Sequence, residues 1–393
     1  MADRLKQAAF TALVALLLGL PFIGLTTLNT DTGLAIDTRW GALAILVSLA
    51  FMARLAGGIT LPSLTLPAGV TAPLGRPVVR RGLALAIIGL ALALPFLPFS
   101  DRYVIDQATK VLIYLMLGAG LNVTVGLAGL LDLGFVAFFA IGAYATALLT
   151  TTTGLSFWLA LPLSGLIAAL VGVVLAFPIL RLRGDYLAIV TLGFGEITRI
   201  VIINWQSLTG GPNGVLGIPQ PSFFDLTPNR GTRLTFLYYI MLALLLLANL
   251  AIARLRRLPI GRAWEALRED EIACRSLGID PRAAKVSAYA TGALLGGIAG
   301  ALFATKYGFV SPDSFTFLES AMVLAIVVLG GLGSQWGVVI AGLFLVLLPE
   351  IGRGLADYRM LLFGLAMILV MIWRPGGLLS AREPTIRLNG RAP

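Results

Sequence analysis

Histidine is absent from this sequence of 393 residues, and cysteine occurs once, at Cys274. An internal disulfide is therefore excluded, as is any metal site or acid–base relay built on imidazole. Cys274 reads as a small apolar helix residue. Charge is scarce: Asp, Glu, Lys and Arg make up 12% of the chain, against 58% hydrophobic residues. A soluble protein of this length could not cover its surface with so little polar material. No GxxxxGK phosphate-binding loop occurs, and neither loops nor tails are long enough for a nucleotide-binding domain. Any ATP hydrolysis falls to another chain. No cluster pairs a nucleophile with a general base, which counts against a membrane enzyme.

What the sequence has in excess is apolar runs of membrane-spanning length. They are Ala8–Leu28, Trp40–Leu55, Leu83–Phe99, Tyr103–Val125, Leu127–Leu149, Leu155–Leu180, Leu187–Ile203, Leu234–Ile252, Val286–Thr305, Phe317–Leu332, Trp336–Leu348 and Met360–Trp373. Several are short or interrupted by Gly and Pro, so broken or re-entrant helices are expected where protein or a cavity shields the backbone. The fold class is an all-α, polytopic transmembrane helical bundle. The first run reads as a retained helix, since no small-residue cleavage site precedes the polar stretch beginning at Asn29.

The net charge of +10 does not point to nucleic acid, because the arginines stand at the ends of apolar runs and not on one soluble face. With a cytoplasmic N-terminus, Arg4, Lys6, Arg76, Arg80, Arg81, Arg181, Arg183, the 254–285 segment, Arg374, Arg382, Arg387 and Arg391 fall on the cytoplasmic side. The 29–39 and 205–233 loops fall opposite, with few basic residues. This obeys the positive-inside rule and places both termini in the cytoplasm. Three regions follow: N-terminal helices over 1–100 with a Gly/Pro-rich cytoplasmic linker at 56–82, a core over 101–379, and a basic tail over 380–393.

Three features could carry chemistry. Residues 118–144 set Asn122, Thr124 and Asp132 among glycines that include Gly126, Gly129 and Gly134, the composition of a helix broken around a central binding site. A plain turn with Asp132 at the membrane surface explains it equally well. Glu196 and Arg199 lie three apart and share a helix face, as a structural ion pair or as a substrate contact. Gly292, Gly296 and Gly300 repeat a G-x-x-x-G spacing that lets helices approach closely.

The segment 254–285 is the one long charged interruption. Ile260, Trp264, Leu267, Cys274 and Leu277 recur at helical steps while Arg262, Glu265, Arg268, Glu269, Asp270 and Arg275 take the other faces. One or two short amphipathic helices are expected, ending near Gly278 and followed by a new start at Asp280–Pro281. Such a helix can dock its apolar stripe into a partner's groove or lie on anionic lipid. The acidic centre favours protein.

The stretches at 121–144, 181–214, 261–279, 300–350 and 363–379 resemble the LivM-type permease of bacterial branched-chain amino acid ABC transporters. They cover most of the chain from Tyr103 to Leu379. The resemblance implies a bundle in the bacterial inner membrane that pairs with a LivH-like second permease, two cytoplasmic ATP-binding subunits of LivG/LivF type, and an extracytoplasmic substrate-binding protein. This chain would bind no cofactor, ATP and Mg being held by the partner subunits. The charged segment is similar to the EAA loop of importers, which puts Glu265, Ala266, Glu271, Ile272 and Gly278 in or beside the element that couples to the ATPase. Where the family commonly has a Ser before Leu-Gly and a His after it, this chain has Asp132 and Phe135, and Gly184–Asp185 stands where Gly-Pro is common. The implied cargo is a branched-chain amino acid, with urea or a short amide as the alternative. A self-contained carrier driven by an ion gradient, using Glu196, Asp132 or Lys110, is the rival class.

Overall fold

In the computed structural model, the described residues are 25–30, 33–38, 87–97, 100–179, 184–221 and 230–351, with isolated positions 16, 40, 41, 44, 47, 48, 51, 182, 364 and 377. Most of the first two apolar runs, the 56–82 linker, the last run and the 380–393 tail lie outside them. The chain divides into two units, Met1–Arg80 and Arg81–Pro393.

In the first unit, β1 (Leu25–Thr30) pairs antiparallel with β2 (Gly33–Thr38), from Leu25 opposite Thr38 to Thr30 opposite Gly33. The end of the run expected to be helical to Leu28 is therefore strand. Thr26, Thr27, Thr30, Ile36 and Thr38 explain it, because β-branched side chains lose rotamer freedom in a helix and fit a pleated ribbon.

The second unit is helical. After a short apolar helix, Ile87–Phe96, come α1 (Arg102–Leu121), α2 (Val136–Thr151), α3 (Phe157–Ile179), α4 (Asp185–Asn204), α5 (Arg230–Leu255), α6 (Pro259–Glu269), α7 (Glu271–Ser276), α8 (Pro281–Tyr307), α9 (Phe317–Gly330) and α10 (Gln335–Ile351). Among the described residues, six helices are long and apolar enough to cross a membrane, which makes this a multi-pass membrane protein. The span that includes α1 is 89% buried and that of α4 only 28%, so α1 is central and α4 peripheral. On α3, Leu159, Leu163, Leu166, Leu170, Val174 and Phe177 are exposed at helical spacing, an apolar face suited to lipid or to another transmembrane helix.

Close approach organises the core around α8. A Cβ on Gly300 would stand 2.1 Å from the Phe139 carbonyl oxygen of α2, and one on Gly292 would stand 2.8 Å from Thr124 Cγ2. One on Gly296 would press the Phe135 ring at 3.2 Å, so the three-glycine strip faces α1, α2 and the connection between them. Van der Waals packing of this kind replaces the hydrophobic drive that lipid removes.

The expected helix from Leu127 to Leu149 is corrected. The chain continues α1 through a π-helical turn, Asn122–Leu127, and regains α-helix only at Val136. The wider π turn and Gly129, at φ +71°, break the α-helical ladder there.

Candidate functional site

The break between α1 and α2 is held from four directions. Asn122, 1% exposed, accepts the Gly333 N–H at 2.9 Å through its Oδ1. The Leu133 N–H donates to Thr191 Oγ1 of α4 at 3.0 Å, and Ser320 Oγ of α9 donates to the Leu133 carbonyl at 2.6 Å. Arg268 of α6 donates from Nη1 to the Gly126 carbonyl at 2.9 Å. Unshielded backbone in a membrane is costly, and these partners are what let the helix break.

Glycine is required at several of these positions. A Cβ on Gly126 would stand 2.0 Å from Asn122 Oδ1 and 2.4 Å from Gly333 N, and one on Gly134 would stand 1.8 Å from the Thr191 carbonyl oxygen. Gly129 lies against Arg268, 2.8 Å from its Cγ by the same construction. Asp132 is fully buried, not at the surface. Its Oδ1 accepts the Gly134 N–H at 2.9 Å, while Oδ2 has no hydrogen-bond partner among the described residues.

The charged segment forms the two expected short helices. Asp270 caps α7 by accepting from the N–H groups of Ile272 and Ala273, and Asp280 caps α8 by accepting from Arg282 N–H. Gly278, at φ +79°, closes α7 in the left-handed region, and the Ile279 N–H returns to the Cys274 carbonyl. The direction of the apolar stripe is corrected. Trp264, Leu267 and Cys274 are buried within this chain, and Trp264 Nε1 donates to Ser287 Oγ of α8 at 2.9 Å. Only Ile260 and Leu277 of the five stand exposed, so the stripe anchors the segment to its own bundle.

Glu265 and Glu271 also turn inward. Glu265 pairs with Arg256 at 3.1 Å, and Glu271 pairs with Arg275 at 2.8 Å and with Lys285 at 3.3 Å. Ala266 is half-buried, whereas Ile272 is 64% exposed and Leu277 79%. Burial pushes the Cys274 thiol up from its ordinary pKa, helped by the charges of Asp270 and Glu271.

Sequence reasoning did not single out Arg256 and Arg268 as site residues. Arg256 Nη1 donates to the Gly333 carbonyl at 3.2 Å, just as Arg268 reaches Gly126. The two glycines meet each other through Asn122, so two arginines of the charged segment grip both sides of one junction. A signal existed although the period sets Arg268 off the stripe: it follows Trp264 by four residues, one helical turn on, which places it at the edge of the apolar face.

Glu196 and Arg199 belong elsewhere. Arg199 lies 3.8 Å from Glu196 and 3.5 Å from Asp313, tying α4 to the Pro312–Ser314 turn beyond the Tyr307 end of α8. Beside it, Val215–Leu216 and Phe309–Val310 pair as a two-residue ribbon. Among the described residues no group of three or more His, Cys, Asp or Glu could hold a metal ion.

This geometry joins an amphipathic segment to a broken core helix through two arginine contacts. The family described as a branched-chain amino acid transport system permease component matches residues 103–371, and a domain of unknown function matches residues 3–96. The chain is similar to the high-affinity branched-chain amino acid transport system permease protein LivM of Escherichia coli K12, 47% identical over 99% of this chain and 96% of the relative. The protein of the same name from Salmonella typhimurium LT2 is 45% identical over 98% and 97%. The LivH permease of Escherichia coli K12 is 28% identical over 47% of this chain and 61% of its own. No solved structure matches. The chain belongs to the branched-chain amino acid permease family, whose members are translocation subunits and not enzymes.

Proposed function

We propose that this member of the branched-chain amino acid permease family is the LivM-type subunit of an ATP-driven importer in the bacterial inner membrane, with branched-chain amino acids as its cargo. It works beside a LivH-like permease, two cytoplasmic ATP-binding subunits that handle ATP and Mg, and an extracytoplasmic binding protein. The carrying observation is the pair of arginine contacts, Arg268 to Gly126 and Arg256 to Gly333, that joins the charged segment to the broken helix.

The lever divides its labour. Trp264, Leu267 and the inward pairs of Glu265 and Glu271 fix it to the bundle, while exposed Ile272 and Leu277, with Gly278 beside them, meet an ATP-binding subunit. When that subunit moves α7, α6 follows, and the arginines carry the displacement to the junction of Asn122, Gly126 and Gly333. Alternating access then rests on contacts that differ between two states of that junction. On this reading 254–285 is cytoplasmic, and the Tyr307 end of α8 faces the binding protein.

The test is uptake by proteoliposomes holding all subunits and the binding protein. Leucine, isoleucine and valine should accumulate with ATP inside and not without it. Accumulation of urea or a short amide in their place would sink the cargo assignment, and uptake by this chain alone under an ion gradient would sink the coupling.

A further inference from the structure

A cavity of about 400 Å³ opens at the Tyr307 end of α8, within the size range of small-molecule sites. Most of its lining is apolar. Ile113 and Phe139 are buried in its wall, and the Phe139 ring packs edge-on against Phe303 at 5.2 Å and Phe315 at 5.0 Å.

Two opposite charges share this apolar chamber. Glu319 is held by Tyr114, whose hydroxyl donates to Oε2 at 2.6 Å. Lys110 lies one turn before Tyr114 on the same face of α1, and both line the cavity. The neighbouring lysine, Lys306, is engaged by Asp106, at 3.1 Å to its carboxylate and 2.9 Å to its carbonyl. Among the described residues no hydrogen bond or ion pair engages Lys110, and none joins it to Glu319. Both charges are half-buried beside the apolar wall, where one molecule carrying the opposite charges could answer the two together.

The geometry points to a binding chamber for the free zwitterion of an aliphatic amino acid. Glu319 takes the α-ammonium, Lys110 takes the α-carboxylate, and Ile113, Phe139 and Phe303 take the hydrocarbon side chain. A simple cation or anion would leave one of the two charges unanswered, and urea, which can hydrogen-bond both groups, would neutralise neither and leave the apolar wall unused. This rests on the import reading above and adds the substrate's place of first contact with the membrane subunit.

The test uses the complete complex without its binding protein, so that selectivity belongs to the chamber. Ser314, which also lines the cavity, is replaced as Ser314→Cys, and alkylation by a maleimide is followed, buried Cys274 giving the background. Leucine should slow labelling at least five-fold. Leucinamide, which lacks the anion, and 4-methylpentanoate, which lacks the cation, should slow it less than two-fold. Lys110→Met should make leucine no better than leucinamide, and Glu319→Gln no better than 4-methylpentanoate. Equal protection by all three compounds, or protection by leucine that survives both substitutions, overturns the chamber. If wild-type proteoliposomes import leucine while the labelling shows no protection, only the chamber is wrong. If they import no branched-chain amino acid, the import reading falls first.

Discussion

Arg268 lies on an amphipathic helix outside the core, yet its Nη1 donates to the carbonyl of Gly126, 2.9 Å away, inside the π turn that ends α1. The two residues are 142 positions apart in sequence, and their contact ties the charged segment directly to the central break. A guanidinium suits this use because its planar fork stays charged and can bind Glu269 at 3.0 Å at the same time.

Arg268→Met should therefore uncouple the lever while leaving it docked. A hydrogen bond from a charged donor contributes about 1.5–3 kcal/mol, so ATP-driven uptake should fall by roughly ten-fold to a hundred-fold. Trp264 still anchors α6, and the ATP-binding subunits should co-purify in normal amount. Uptake unchanged in Arg268→Met, with full expression, would break the proposed linkage.

The junction itself tolerates no added atoms. Gly126→Ala puts a methyl group 2.0 Å from Asn122 Oδ1 and 2.4 Å from Gly333 N, between the two groups that bond each other. Yield of folded protein in mild detergent should drop several-fold. Gly193→Ala is the control, since nothing lies within 4 Å of its added carbon. Its yield and melting temperature should match the parent.

How far the sequence discloses this arrangement depends on the distance between the residues concerned. Local signals are legible: the glycines of 118–144, the cap at Asp270, the stop at Gly278, the apolar lengths. Direction is not. The stripe of Trp264, Leu267 and Cys274 has the period of a docking face whether it packs on a partner or on its own bundle, and only α8 decides. The inward turn of Glu265 likewise depends on Arg256 standing opposite, and Lys306 finds Asp106 two hundred residues away. The Leu25–Thr30 ribbon was concealed because hydropathy counts threonine and leucine without regard to branching at Cβ.

The exposed pair on the lever separates docking from folding. Ile272→Asp and Leu277→Asp change side chains that are 64% and 79% exposed and fill no core. The permease should fold normally, while co-purification of the ATP-binding subunits falls by roughly ten-fold or more for each, as for an apolar anchor at an interface. Trp264→Ala is the opposite case. It empties a fully buried site and should cost about 3–5 kcal/mol of stability, seen as loss of the permease itself and not of its partners.

Asp132 presents the sharpest contrast between a structural and a contacting role. Its Oδ1 holds the Gly134 N–H at the point where Gly134 touches the Thr191 carbonyl, so the side chain shapes the turn that starts α2. Asp132→Asn keeps an oxygen for that N–H and should retain leucine uptake within about three-fold. Asp132→Ala leaves a buried N–H without its acceptor, a loss of about 1–3 kcal/mol, and should lower both thermal stability and uptake. The cargo's ammonium is assigned to Glu319 at the Tyr307 end of α8, and nothing in this turn requires a second negative charge for it. A variant Asp132→Asn that folds as well as the parent but imports no leucine would move the recognition of the ammonium group from Glu319 to the broken helix.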